Sequence, residues 1–140
     1  MRPAISIGMD VVLISPDAGS HSLLLIKRRN EPFQNHWALP GGFLEIDEDL
    51  ETGAKRELIE ETGISNVTLQ QIGAFGNPER DPRSRVISIA YCGFLPQERR
   101  KEAKAADDAA DAQWFDLHNL PPLAFDHAQI IETARKILNI

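Results

Sequence analysis

Glu57, Glu60 and Glu61 stand at i, i+3 and i+4 within the run from Gly41 to Ile64, GGFLEIDEDLETGAKRELIEETGI. In a helix this spacing gathers three carboxylates on one face, within roughly 100° of arc. For an isolated helix the arrangement is unfavourable. Glu57 and Glu61 repel at i,i+4. Glu60 and Glu61 fall in the last turn, where the macrodipole disfavours an anion by roughly 0.3–1 kcal/mol. Only Arg56, one turn before Glu60, offsets them locally, whereas a merely solvated face would carry lysines there. A hard divalent cation resolves the repulsion, because Mg²⁺ takes oxygens from a few carboxylates, waters and substrate phosphates. The paired glycines ahead of the helix allow a backbone carbonyl to approach the same ion. The run therefore reads as a metal site.

The elements that must position these groups are legible around them. Asp47, Glu48 and Asp49 suit a helix N-terminus, Leu50, Ala54 and Leu58 recur at helical spacing, and Gly63 is a natural C′ residue. Upstream, residues 5–15 read as a strand, 16–19 as a turn and 22–28 as a second strand, paired as a hairpin. A loop with Pro32 spans 29–36, and Trp37, read as a core residue, leads into the glycines. Downstream, strands are expected at 67–75 and from 85 through 91 toward 95. Between them lies an arginine-dense loop at 79–85, with Pro82 forcing an extended or turn conformation. Residues 96–112 are polar and carry no chemistry. Trp114 and Phe115 mark a short strand. Asp126 is expected to cap a final helix over 127–138 with Ile130, Ile131, Ala134, Ile137 and Leu138 as its apolar stripe. Strands on both sides of a central helix, plus a terminal helix, predict an α/β sandwich with a mixed sheet between helices.

Composition narrows the partners. The chain has 140 residues, 42% hydrophobic and 26% charged, which fits one domain over 1–140. Residues 45–61 hold eight acids against two bases, a local charge of −6 that equals the net charge of the whole chain. This argues against nucleic acid and leaves a cation-mediated phosphate site open. The single cysteine, Cys92, excludes an intramolecular disulfide and reads as a buried small residue. No apolar stretch approaches the roughly 18 residues of a membrane span, and residues 1–3 begin no signal peptide. A cytoplasmic protein without membrane contact is expected.

The run around the three glutamates also resembles the signature of the Nudix hydrolases, G-x5-E-x7-R-E-U-x-E-E-x-G-U with U aliphatic. Gly42, Glu48, Arg56, Glu57, Leu58, Glu60, Glu61, Gly63 and Ile64 fill every specified position. The approach to this box, K-R, a loop with Pro-Phe, then W-A-L-P-G-G-F, is similar to that of many members. The resemblance is loose over 5–138 and close over 27–95. It implies a Nudix-type α/β/α sandwich with a mixed β-sheet, and hydrolysis of a nucleoside diphosphate linked to another group. It further implies that Glu57, Glu60 and Glu61, with the Gly41 carbonyl, hold Mg²⁺, or Mn²⁺ in its place, while Arg56 orients the carboxylates. Many members are homodimers, so a homodimer is an expectation too.

Substrate choice is read from the arginine loop, where Arg80, Arg83 and Arg85 surround Asp81. Arginine presents a rigid fork suited to phosphate oxygens, and Arg28 at the end of the second strand is a further phosphate contact. R-D-P-R, two residues, V-I-S, then A-Y resembles the subgroup of bacterial ADP-ribose pyrophosphatases, as does Phe125-Asp126-His127. The implied reaction is ADP-ribose plus water giving AMP and ribose 5-phosphate, with Glu57, Glu79 and Asp81 all candidates for taking the water's proton. Two alternatives stand beside it. One is another nucleotide, such as an oxidised nucleoside triphosphate or a nucleotide sugar; the other is a non-catalytic ADP-ribose sensor. The complete box favours an enzyme.

Overall fold

Val11 to Ile14 is an uninterrupted apolar run, which is what a strand covered on both faces requires. In the computed structural model, which describes residues 1–106 and 109–140, this run lies in the central strand β1 (Ser6–Asp17). The other strands are β2 (Ser20–Arg28), β3 (Trp37–Ala38), β4 (Gly41–Phe43), β5 (Gln70–Phe75), β6 (Val86–Phe94) and β7 (Ala109–Asp116). The helices are α1 (Leu50–Thr62) and α2 (His127–Leu138), with a 3₁₀ helix at Gln97–Glu102.

The sheet is mixed, as expected. Its order is β3-β2-β1-β6-β5, with β4 also on β1 and β7 also on β2. Among the strands of the described residues β1 and β6 run parallel and the other pairs are antiparallel, with one isolated parallel bridge between Trp37 and Leu123. One edge of β1 is taken by β6 along its length. The opposite edge is shared: Gly8 to Asp10 pair with β4, whereas Ile14 to Asp17 pair with β2 at the hairpin. The two long strands therefore part company between the hairpin and Asp10, and β3 and β4 bridge the gap. A cleft opens there.

Side-chain alternation along β1 builds two cores. Met9, Val11 and Leu13 join Ala54, Leu58 and Ile64 of the α1 side. Val12 and Ile14 join Leu25, Leu39, Cys92, Ile130, Ile131 and Ala134 of the α2 side. Helix α1 starts where expected: Asp49 accepts the Thr52 N–H at 2.9 Å, and Gly63 closes it in the left-handed conformation at φ 76°. Trp37 is partly buried on the α2 side, edge-on to Phe115 at 4.8 Å, and Cys92 is buried.

Several expectations are corrected. β1 runs on through Pro16 and Asp17, because Pro16 opposes His21 within the hairpin. β5 begins at Gln70; Val67 and Leu69 are core residues ahead of it. The segment 96–112 is not featureless. It contains the 3₁₀ helix and the start of β7, which follows β2 from Ser22 to Arg28; residues 107–108 lie outside the described part. Asp126 occupies the N-cap position of α2, but its side chain makes no capping bond. Ile137, expected in the apolar stripe, is 50% exposed because it turns away from the sheet. Among the described residues no helix is long and apolar enough to cross a membrane.

Candidate active site

The gap between β1 and β2 forms a cleft of about 530 Å³. Its walls come from Gly8 to Asp10, Arg28, Gly41 to Phe43, one face of α1, the loop around Arg80 to Arg83, and Phe125 and His127. Acidic and basic groups from distant parts of the chain thus share one cavity.

On the carboxylate wall Arg56 is the organising residue. Its Nε and Nη2 donate to Glu48 at 2.9 and 2.6 Å, and Nη1 donates to Glu57 at 2.7 Å and Glu60 at 3.1 Å. Nη2 also bonds the Phe43 carbonyl at 2.9 Å, which ties α1 to β4. The fork holds Glu48 down at about 2. Glu57 behaves oppositely: burial, with the charges of Glu60 and Glu48, raises its pKa despite the bond from Arg56. Glu61 is raised further, to about 8, by burial first and then by the charges of Glu57 and Asp10. Its Oε1 accepts the Gly41 N–H at 2.7 Å. The glycines are required by this proximity. A Cβ on Gly42 would lie 2.3 Å from the Glu57 carboxyl carbon, and one on Gly41 would lie 2.0 Å from the Met9 carbonyl oxygen.

The three glutamates do not point to one spot. Glu60 leans to Arg56 with 42% of its side chain exposed, and among the described residues no three acidic, histidine or cysteine side chains form a ready-made metal cluster. Glu57 and Glu61 nevertheless fit a hard cation. They are two part-buried carboxylates, each raised by burial, with Glu57's charge further opposing ionisation of Glu61, and Mg²⁺ needs only one or two carboxylates when waters and phosphates complete its shell.

Another part of the cleft is basic, and its two loop arginines are each paired with an acid, Arg80 withdrawn from solvent and Arg83 with 43% of its side chain exposed. The Arg80 side chain is 4% exposed and forks onto Asp126, with Nε at 2.9 Å and Nη2 at 2.7 Å. Arg83 binds Asp81 with its backbone N–H, Nε and Nη2, and its guanidinium carbon lies 5.5 Å from the Phe125 ring centre and 5.6 Å from that of Phe43. Asp81 is buried; burial pushes its pKa up, but Arg83 outweighs that and holds it below the ordinary range. Arg28 lies 5.0 Å from the Phe125 ring on the cleft side and donates Nε to the Pro32 carbonyl at 2.7 Å. Arg85, expected beside them, donates to the Gly76 carbonyl at 2.7 Å and is not part of the cleft lining; nor is Glu79.

Between the walls sits a buried network that sequence reading missed. Asp10 accepts from the Ser88 hydroxyl, lies 3.3 Å from His127 Nε2 and 3.7 Å from Arg80 Nη2. Burial drives its pKa up, yet His127, Ser88 and Arg80 together keep it below the usual aspartate value. His127 Nδ1 accepts the Leu39 N–H at 3.0 Å, so the ring proton is on Nε2, facing Asp10. The available signal was a lone acid inside an apolar strand, since an unpaired buried carboxylate is rarely tolerated. Phe125, at φ 51°, also lines the cleft; in the sequence, Phe125-Asp126-His127 carries the subgroup resemblance without pointing to the site.

Comparison with known proteins places this geometry among relatives. The NUDIX domain profile matches residues 6–134. The ADP-ribose pyrophosphatase of Methanocaldococcus jannaschii is 48% identical over 112 residues, which cover 80% of this chain and 64% of that protein. The ADPR responsive transcriptional repressor NtrR of Acinetobacter baylyi is 33% identical over 135 residues, covering 94% of this chain and 53% of that protein. This chain therefore spans less than two thirds of either relative. Among solved structures, the NUDIX domain of Shewanella oneidensis NrtR complexed with ADP ribose superposes with a TM-score of 0.89 at 32% identity, covering 98% of this chain and 90% of that one.

Proposed function

The chain belongs to the NUDIX domain family, and from that premise we propose that its cleft hydrolyses ADP-ribose to AMP and ribose 5-phosphate with a bound divalent cation, Mg²⁺ or Mn²⁺. The observation that carries this reading is that one cavity is lined by both Glu57 and Glu61 and by Arg80 and Arg83. A pyrophosphate needs both. Its own negative charge is neutralised by guanidinium forks, and it meets the carboxylate wall only through a cation. Likeness to the archaeal pyrophosphatase at 48% identity supports the choice of ADP-ribose.

Glu57 and Glu61 are the residues that would hold the cation, with Glu60 and the Gly41 carbonyl as further oxygen donors. Once bound, the cation supplies positive charge against the phosphoryl oxygens. Arg56 fixes the carboxylate wall through its bonds to Glu48, Glu57 and Glu60. Hydrolysis adds a water oxygen to one phosphorus, breaks a phosphorus–oxygen bond of the pyrophosphate, and releases one proton of the water. Of the three acids considered for that proton, Glu79 lies outside the cleft lining and Asp81 spends both oxygens on Arg83. Glu57 is the one of the three left, but its Oε1 already accepts from Arg56, so acting as base competes with holding the cation.

The sensor reading is favoured by the likeness to the ADP-ribose-bound domain of NrtR. One assay separates the two. Purified protein is incubated with ADP-ribose and Mg²⁺, and products are resolved by mass spectrometry, with and without EDTA. Stoichiometric AMP and ribose 5-phosphate, abolished by EDTA, is the expected result. Tight binding in calorimetry with no AMP after hours would make the domain a sensor.

A further inference from the structure

Asp126 stands where a helix cap belongs but does not cap α2. Both its oxygens go instead to Arg80, 46 residues away in sequence. A capping interaction is forgone for a tertiary one. The bond is bidentate, through the Nε and Nη2 edge of the guanidinium, and Asp10 Oδ2 stands 3.7 Å from the same Nη2. Among the described residues Nη1 makes no hydrogen bond, and no buried side-chain nitrogen is left unsatisfied. Nη1 therefore reaches the surface, and the surface that Arg80 lines is the cleft.

We propose that Asp126 is a positioning residue: by clamping one edge of Arg80 it turns the remaining nitrogen, Nη1, toward the phosphate groups of the substrate. The inference rests on the reading of the cleft as an ADP-ribose site. A free arginine would sample many rotamers and lose that freedom on binding, whereas a clamped one is already oriented. The clamp is itself backed, because Asp10 also meets His127, the residue next to Asp126. The N-terminus of α2 thus fixes the direction of a guanidinium in the cleft.

A double-mutant cycle tests this, measuring kcat/KM for ADP-ribose, the calorimetric Kd for the same ligand, and melting temperature. Arg80→Ala is expected to lower kcat/KM about 10- to 150-fold, the range for one charge-assisted hydrogen bond. Asp126→Ala is expected to lower it by a comparable factor, and Arg80→Ala/Asp126→Ala to be no worse than Arg80→Ala alone. Asp126→Glu should recover part of the loss. If Asp126→Ala does not fold, Asp126→Asn, which keeps shape and one acceptor, carries the cycle. Wild-type kcat/KM in the Asp126 variants, or fully additive losses in the double variant, would overturn the positioning role and leave the pair a loop anchor. If ADP-ribose is turned over but Arg80→Ala changes neither kcat/KM nor Kd, Arg80 is not a phosphate contact and the inference falls while the activity stands. If ADP-ribose is neither bound nor hydrolysed, the functional reading itself fails.

Discussion

At the residue scale the site holds two acids whose ionisation is opposed by their surroundings, Glu57 and Glu61, beside Asp10, Glu48 and Asp81, whose ionisation is favoured. Glu61 is the sharpest case, raised from 4.5 to about 8 mainly by burial, then by Glu57 and Asp10. A carboxyl whose folded pKa lies above its unfolded value binds more protons in the folded state, so stability falls as pH rises between the two values and is level above the higher. With about 1.4 kcal/mol per pKa unit, the metal-free protein should lose on the order of 2–4 kcal/mol from this group between pH 5 and pH 8. Glu48, held at about 2 by Arg56, acts in the opposite sense, but only at lower pH. Denaturant titrations across that range, in chelator, should show the decline, and Glu61→Gln should flatten it. The same substitution should reduce ADP-ribose hydrolysis by orders of magnitude. An unchanged slope in Glu61→Gln would mean that another group carries the pH dependence.

At the element scale the decisive junction is between β4 and α1. Gly42 sits directly under the Glu57 carboxylate, and Gly41 crosses the Met9 carbonyl. These glycines serve close approach of side chain and backbone, not a left-handed turn. Gly42→Ala places a methyl 2.3 Å from the Glu57 carboxyl carbon, and that carboxylate is the far end of a flexible side chain. The expected outcome is a folded protein, with near-native circular dichroism, whose kcat falls at least about tenfold as Glu57 is pushed off Arg56. Wild-type kcat in Gly42→Ala would mean that the Glu57 position is not critical. The caps of α1 serve the same precision. Asp49 at one end and Gly63 at the other place its glutamates at fixed heights above the sheet.

At the scale of the whole molecule, the cleft exists because β1 and β2 separate, with a helix packed on each face of the sheet. Charges in the cleft are paired locally, Glu48, Glu57 and Glu60 with Arg56, Arg80 with Asp126 and Arg83 with Asp81, while Glu61 accepts the Gly41 backbone N–H. A divalent cation that binds only the folded protein should therefore raise its stability by about 2.7 kcal/mol at a hundredfold excess over Kd. That corresponds to a melting-temperature rise on the order of 5–10 °C. The rise should be larger at pH 8 than at pH 5, where Glu61 is already protonated and has no charge to share. Equal shifts at both pH values, or an undiminished shift in Glu61→Gln, would place the cation elsewhere.

What the amino-acid order determined by itself is local. Helix α1 and its caps, the hairpin, the strand through Ile89 and the acidic face of α1 follow from spacing, turn residues and the nine-position box, because each depends on neighbours within a few residues. Arg83 and Arg80 were found by type and by their place in one loop. Tertiary structure alone decided what they do. It set Arg80 onto Asp126 and took Asp126 away from its helix cap. It enclosed Asp10 with Ser88 and His127, brought Phe125 against Arg28 and Arg83, and left Arg85 and Glu79 outside the cleft. The physical reason is that charges buried in a sheet find partners across strands, and the register of β1 against β6 and β4 sets which ones meet. No spacing along the chain encodes that choice.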